Sequence, residues 1–351
     1  MLPRERTKKI AIGTMQIGGQ NHLLIQSMCN IKTENVREVA AQINRCAMLG
    51  ADLMRVSILD QKDAYAIREI KKLISIPLIA DIHFDYKLAL LAIENGIDKI
   101  RLNPGNIGSE DRVIAVVKAC KLNHIPIRIG VNAGSLDKGI ATNQLLSPAQ
   151  KLVESAKKHV AILEKHDFTD IVISLKGSDV LTTIEAYQIA KDTFPYPLHL
   201  GITEAGPKDV GLIRSSAGLA PLLIAGIGDT LRISLSDEPE EEIVAAKRLL
   251  HDLNLYKAYP TIISCPTCGR TQVDVVPMAK RVLKYLEDHN LPLKVAIMGC
   301  IVNGPGEAKD ADYGLAGGNK TWVLFKKGEV IRTVDEKDAF TTLINEIKKG
   351  L

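Results

Sequence analysis

No apolar run in this chain of 351 residues approaches the roughly 18 to 20 needed to span a bilayer; the longest, around Ala217 to Gly228, is far shorter. The start, MLPRERTKKIAIGTMQIGG, is basic but has no sustained apolar stretch behind it, so no secretory signal and a cytoplasmic protein are predicted. Charge of one sign is scarce too. With 45 basic and 41 acidic residues the net charge is only +4, which argues against nucleic acid or a membrane surface as partner. Aromatics make up 4% of the chain, and the dense interleaving of basic and aromatic residues typical of nucleic-acid surfaces is missing. Six cysteines are too few for a disulfide scaffold at this length. In a reducing compartment the CxxC at 265–268 points instead to metal or redox chemistry, yet no second CxxC completes it.

What is present is a repeated strand signal. Short β-branched runs recur at 23–28, 53–58, 77–82, 99–104, 126–131, 170–175, 198–203 and 230–235, with helical patterns between them. Eight strands separated by single helices predict an α/β fold of the (β/α)8 TIM-barrel type, with a doubly wound open sheet as the alternative. Thr33 reads as the cap of a first helix with Val36, Val39, Ala40, Ile43 and Ala47 on one face and a stop at Gly50. Ser147-Pro148 reads as the start of another, striped by Leu152, Val153, Ala156, Val160 and Leu163. The acidic run DEPEEE at 237–242 fits the first turn of the last barrel helix, where the dipole favours it. The N-terminal stretch reads as a hairpin sealing the barrel floor. Past residue 254 the rhythm changes, and residues 255–351 predict a small α+β domain with a hairpin turning at Lys327-Gly328.

Four strands carry one local pattern: Arg55-Val-Ser57, Arg101-Leu-Asn103, Arg128-Ile-Gly130 and Arg232-Ile-Ser234. Residues two apart share a strand face, so each arginine lies on the face of a small or polar residue and points into the barrel. Lys176 and His83 end two further strands, and only Asp81 and Glu204 are obvious counter-charges. Unpaired cations in a partly dry mouth call for an anionic ligand, and guanidinium forks fit phosphate oxygens; a small phosphate ester or diphosphate follows. Asn132, in GVNAGSL, lies in a loop that reads either as a close backbone approach to a phosphate or as an ordinary βα turn. Glu204, in GITEAG, reads either as a general acid or base or as a plain ion-pair partner.

Cys265 and Cys268 are followed by Cys300 after 31 intervening residues. The spacing leaves two occupants open: zinc with a fourth ligand such as His289, or a [4Fe-4S] cluster whose fourth iron takes a weaker, displaceable ligand. With zinc, the chain reads as a phosphate-binding transferase barrel carrying a structural metal, or as a binding module. Cys46 and Cys120 fall on helix stripes and read as core residues, and Cys29 is assigned no role.

SCPTCGRT, MGCIVNGPGEA, RIGVNAGSL, ADIHFD, IRLNPGN and HLGITEAG together resemble the bacterial IspG (GcpE) family of 4-hydroxy-3-methylbut-2-enyl diphosphate synthases, in its compact two-domain form. One departure is SMCNIKTEN, where the family more often carries SMTNT-like sequence. The resemblance implies a TIM barrel binding a cyclic diphosphate and a reductase-like domain holding a [4Fe-4S] cluster. It implies that Cys265, Cys268 and Cys300 are the thiolate ligands, with Glu307 as the displaceable fourth. It makes Arg55, Arg101, Arg128, Asn132, Lys176 and Ser234 diphosphate contacts, with His83, Thr203 and Arg232 nearby. Glu204 resembles the acid/base carboxylate and Asn303 a substrate-facing loop residue. The implied reaction opens 2-C-methyl-D-erythritol 2,4-cyclodiphosphate and removes a hydroxyl with two electrons from flavodoxin or ferredoxin, in a homodimer whose site forms between subunits.

Overall fold

The computed structural model of the chain describes residues 2–20, 22–301 and 308–351. They form two compact units, Met1–Leu255 and Tyr256–Leu351.

In the first unit, strands β3 Leu24–Met28, β4 Leu53–Ser57, β5 Leu78–Asp81, β6 Lys99–Arg101, β7 Ile127–Asn132, β8 Ile171–Lys176, β9 His199–Leu200 and β10 Thr230–Leu231 form one all-parallel sheet. Each of the eight expected runs supplies a strand. β10 pairs with both β3 and β9, and a parallel bridge between Ile173 and Leu198 joins β8 to β9, closing the barrel. The doubly wound alternative is thereby excluded. The helices that follow the strands in order are α1 Val36–Leu49, α2 Gln61–Lys71, α3 Tyr86–Glu94, α4 Glu110–Leu122, then α5 Lys138–Ala141 with α6 Pro148–Glu164, α7 Val180–Thr193, α8 Lys208–Ile224 and α9 Pro239–Asp252.

Two of the helix ends read from the sequence follow local chemistry and a third does not. Ser147 accepts from the Gln150 amide while the Gln150 side chain accepts from the Ser147 amide, a complete capping box at α6. Gly50 ends α1 in the left-handed region at φ +106°. Thr33 is not the cap of α1: its hydroxyl donates instead to the Ser57 carbonyl, 2.6 Å away, and so ties the β3–α1 loop to the end of β4.

The hairpin β1 Ile10–Ile12 and β2 Met15–Ile17 precedes the barrel. Its Ile10, Ile12 and Ile17 pack with Leu24, Leu53, Ile79 and Val172 from the strand beginnings, forming the expected apolar floor. The cations of Arg55, Arg101, Arg128 and Arg232 stand further along their strands, toward the C-terminal ends.

The second unit holds a five-stranded sheet in the order β11 Thr261–Ser264, β12 Lys294–Met298, β13 Tyr313–Gly318, β14 Thr321–Lys326, β15 Glu329–Asp335. β11, β12 and β13 are parallel and the last two pairs antiparallel. Helices α10 Val275–Asp288 and α11 Ala339–Lys349 cover one face, over a core with Trp322, Leu324, Leu286 and Leu343. The β14–β15 turn falls at Lys327-Gly328, both with positive φ, as a two-residue hairpin requires. β13 was not legible as a strand because its sequence is YGLAGG, and glycine is depleted in strands. The packing explains the choice: a Cβ at Gly314 would lie 2.1 Å from the Phe325 ring.

Candidate functional site

At the C-terminal ends of the barrel strands is a cavity of about 130 Å³ lined by Arg55, Asp81, His83, Arg101, Arg128, Asn132, Lys176, Thr203, Arg232 and Ser234. Nine of the ten residues expected to bind substrate therefore converge on one place. The tenth, Asn303, lies outside the described residues, as does Glu307. A second cavity, of about 350 Å³, adjoins it through His83, Arg101 and Asn132 and adds Ile82, Phe84, Asn103 and Asn106.

Strand alternation aims the cations inward, but specific contacts hold them. Asp81 accepts from Arg101 at 3.2 Å, with Arg55 at 3.8 Å. Burial pushes the Asp81 carboxyl up, but Arg55, Arg101 and Arg128 together outweigh it and hold it below the usual carboxylate range. Arg101 also donates to the Gly130 carbonyl at 3.0 Å. Asn103, 7% exposed, donates to the same carbonyl at 3.0 Å and accepts from the Gly130 amide at 2.8 Å, so one side chain fixes the strand backbone beneath two arginines. The Met28 sulfur lies 2.9 Å from Arg55 and 3.5 Å from Arg232. A thioether is a weak acceptor without charge, so it orients both guanidiniums without neutralising them.

The acidic run at 237–242 opens α9 as expected, with Glu240, Glu241 and Glu242 in its first turn. They also find partners there: Glu240 pairs with Arg45 at 2.8 Å, Glu241 with Lys208 at 2.7 Å, and Glu238 accepts from Asn30 at 3.1 Å. Glu242 is 2% exposed and turns inward, where it grips Arg232 through both oxygens at 2.9 and 3.0 Å. It is a counter-charge that sequence reasoning missed. The available signal was its place on the buried stripe of α9 with Pro239, Ile243, Ala246 and Leu250.

Among the described residues Arg128 and Lys176 form no ion pair, although Asp81 and Glu242 act on them from further off. Burial, then the neighbouring Arg55 and Arg101, push the Arg128 guanidinium well below its ordinary value. Burial, then Arg128, Arg55 and Arg232, do the same to the Lys176 amine. Arg55 is pushed down to about 10, chiefly by burial. Such a cluster is costly alone and favourable around a multiply charged anion.

Two glycines make the cluster possible. A Cβ at Gly201 would lie 2.5 Å from Lys176 Nζ, and one at Gly130 would lie 2.7 Å from Arg101 Nε. Gly201→Ala should therefore displace the Lys176 head group, lowering anion affinity by about tenfold or more at a stability cost of about 1–3 kcal/mol. Equilibrium binding beside thermal unfolding checks this.

Glu204 is exposed, does not line the cavity, and holds a left-handed backbone at φ +53° beside the cavity residue Thr203. For a glutamate that conformation costs about 1–3 kcal/mol and persists only where the surroundings impose it.

In the second unit Cys265 follows the end of β11 and Cys300 lies two residues past β12, its parallel neighbour. The Gly299 amide donates to Cys265 Sγ at 3.1 Å, joining the two loops. The Cys268 amide donates to the Thr271 hydroxyl at 3.0 Å. Hydrogen bonds from the Arg270 amide and side chain pull the Cys268 thiol below its ordinary value. Among the described residues, no group of three or more His, Cys, Asp or Glu is gathered closely enough to hold a metal ion. The donor chemistry nonetheless fits a thiolate-bound group: three soft donors on adjacent loops, one already accepting an amide hydrogen bond. Cys29, by contrast, is buried with its thiol pushed up to about 12 by burial, and Cys46 and Cys120 are pushed up likewise, so all three are inert packing residues.

Fold and cavity together define a (β/α)8 barrel with a cation-lined mouth and a cysteine-bearing second unit. The chain belongs to the GcpE family: residues 7–247 match the GcpE TIM-barrel domain and residues 261–349 the GcpE protein C-terminal domain. It is 52% identical over 346 residues to the "4-hydroxy-3-methylbut-2-en-1-yl diphosphate synthase (flavodoxin)" of Caldanaerobacter subterraneus subsp. tengcongensis, covering 99% of this chain and 98% of that protein. The Bacillus subtilis protein of the same name is 51% identical over 348 residues, covering 99% and 91%. Among solved structures, dihydropteroate synthase from Stenotrophomonas maltophilia superposes with a TM-score of 0.53 at 13% identity, over 71% of this chain and 97% of that one. At that identity the likeness shows the barrel fold alone. Among the described residues no helix is long and apolar enough to cross a membrane.

Proposed function

We infer that this chain catalyses the reductive ring opening and dehydroxylation of 2-C-methyl-D-erythritol 2,4-cyclodiphosphate to 4-hydroxy-3-methylbut-2-enyl diphosphate, in the cytoplasm. The observation that carries the reading is the convergence of nine expected substrate residues on one cation-rich cavity.

In this reading the barrel's own groups bind and orient. Arg128 and Lys176, which form no ion pair among the described residues, take the diphosphate oxygens; Arg55 and Arg101, steadied by Asp81 and Met28, fix its direction. Asn132, Thr203 and Ser234 offer neutral hydrogen bonds around it, and His83 closes one side. The smaller cavity suits the phosphates and the larger adjoining one the carbon skeleton. Glu204, at the loop beside Thr203, exchanges a proton with the substrate.

Cys265, Cys268 and Cys300 would hold a [4Fe-4S] cluster, with Glu307 as its fourth, displaceable ligand. When bound, the cluster supplies one-electron transfer, which the side chains of the barrel cannot provide. Flavodoxin, or ferredoxin, is the electron donor, and two chains form a homodimer with the site between subunits. Exposed Leu59, Phe84, Leu145 and Leu181, all in segments following barrel strands, support a covering partner on that face.

Metal analysis of anaerobically purified protein tests this reading against the structural-zinc alternative. About four irons with matching sulfide per chain are expected; stoichiometric zinc without iron would contradict it.

A further inference from the structure

Between the apolar floor and the cation cavity the barrel carries a sealed polar layer. Gln26 on β3, Lys99 on β6, His199 on β9 and Thr230 on β10 are each at most 1% exposed. Among the described residues, both amide atoms of Gln26, Lys99 Nζ, both His199 ring nitrogens and the Thr230 hydroxyl find no hydrogen-bond partner. Alternation fixes their direction: Lys99 stands two residues before Arg101, Thr230 two before Arg232, and His199 four before Thr203, so all three share the inner face with cavity residues. His199 and Thr230 are direct register partners.

Lys99 is the member whose charge is in question. It faces Arg128 from β7 and Arg55 from β4, with His199 from β9 also within electrostatic reach. Among the described residues, the two carboxylates of the barrel mouth are not free to meet it. Asp81 is engaged by Arg101 and Arg55, and Glu242 by Arg232 and Ser27. Tyr187 from α7 donates its hydroxyl to the His199 carbonyl, and Lys176 from β8 adds one more cation on the cavity side.

We propose that Lys99 is a proton acceptor built into the anion site, a neutral amine in the ligand-free barrel that becomes an ammonium when a diphosphate fills the cavity above it. The inference rests on the reading of that cavity as a diphosphate site. Burial, then Arg128 and Arg55, push the amine well below its ordinary value. Burial, then Lys176 and Arg128, push the His199 ring down as well. A dianion among Arg55, Arg128 and Lys176 reverses the local potential and favours the charged amine. The complex then binds more protons than the free protein. Affinity accordingly rises as pH falls through the window between the free and bound values of Lys99, and declines as pH rises, by up to about tenfold per pH unit for one proton.

Calorimetric titration with 2-C-methyl-D-erythritol 2,4-cyclodiphosphate, in buffers of differing ionisation enthalpy, reads the uptake directly. The ligand's own phosphoryl oxygens are already ionised at neutral pH and contribute nothing. Wild type should take up protons, and Lys99→Met, of similar length but not ionisable, should bind with less uptake, the difference approaching about one proton per site. Lys176→Met, which removes the other depressed amine, should retain part of the uptake; this arm decides alone if Lys99→Met does not fold. Equal uptake in wild type and Lys99→Met, or complete loss in Lys176→Met with binding intact, overturns the proposal. Binding without any uptake in wild type contradicts the Lys99 assignment only, whereas no binding at all removes the diphosphate reading and this proposal with it.

Discussion

Arg128→Met should move stability and affinity in opposite directions: a higher melting temperature for the ligand-free protein, and cyclodiphosphate binding weaker by about 10²–10³-fold, the range expected when one partner of a buried charge contact is removed. Arg128 is 2% exposed, its Nε and one terminal nitrogen find no acceptor among the described residues, and its charge is opposed by Arg55 and Arg101. Without ligand the Asp81 charge that acts on it is already engaged by Arg101 and Arg55, and replacing buried charge by apolar groups of similar volume is often neutral or stabilising by about 1–4 kcal/mol. With ligand it is the most deeply buried cation of the cavity lining. Thermal unfolding with and without cyclodiphosphate separates the two effects. A variant that loses both stability and affinity would show that Arg128 serves the fold rather than the ligand.

Cys265→Ser should yield a folded protein that retains little iron, loses the visible absorbance of a cluster, and turns over more than about 10²-fold slower, beyond what changes outside the ligand shell of a metal site produce. A serine hydroxyl is a harder and less acidic donor than a thiol, so it does not replace a thiolate ligand. Cyclodiphosphate affinity should change little, because the cation cavity is built wholly from residues 55–234. Iron content, absorbance and calorimetric binding check the three statements separately. Full iron content in this variant would remove Cys265 from the ligand set.

Sequence period carried much of this. Arg55, Arg101, Arg128 and Arg232 were legible as inward-pointing because a strand alternates faces, and the closed barrel makes one face its interior. β9 and β10 were legible from their β-branched runs although each is regular for only two residues. What escaped notice depends on contacts far apart in the chain. Glu242 looked like one acid in a helical first turn until α9 brought it against Arg232, and Met28 became an acceptor only because β4 and β10 flank β3. Thr33 looked like a cap because caps are local, but a hydroxyl can leave its own helix for a neighbouring strand. Gly130 and Gly201 read as small residues in strands; that they make room for Arg101 and Lys176 follows from the three-dimensional approach alone. The polar layer of Gln26, Lys99, His199 and Thr230 was hidden inside runs that read simply as barrel strands.

The most direct test of the whole account is anaerobic turnover of 2-C-methyl-D-erythritol 2,4-cyclodiphosphate by the cluster-loaded protein with reduced flavodoxin. Formation of 4-hydroxy-3-methylbut-2-enyl diphosphate is expected, abolished in Cys265→Ser and demanding far higher substrate concentrations in Arg128→Met. A fully iron-loaded protein that leaves the cyclodiphosphate unchanged with either reduced flavodoxin or reduced ferredoxin would contradict it.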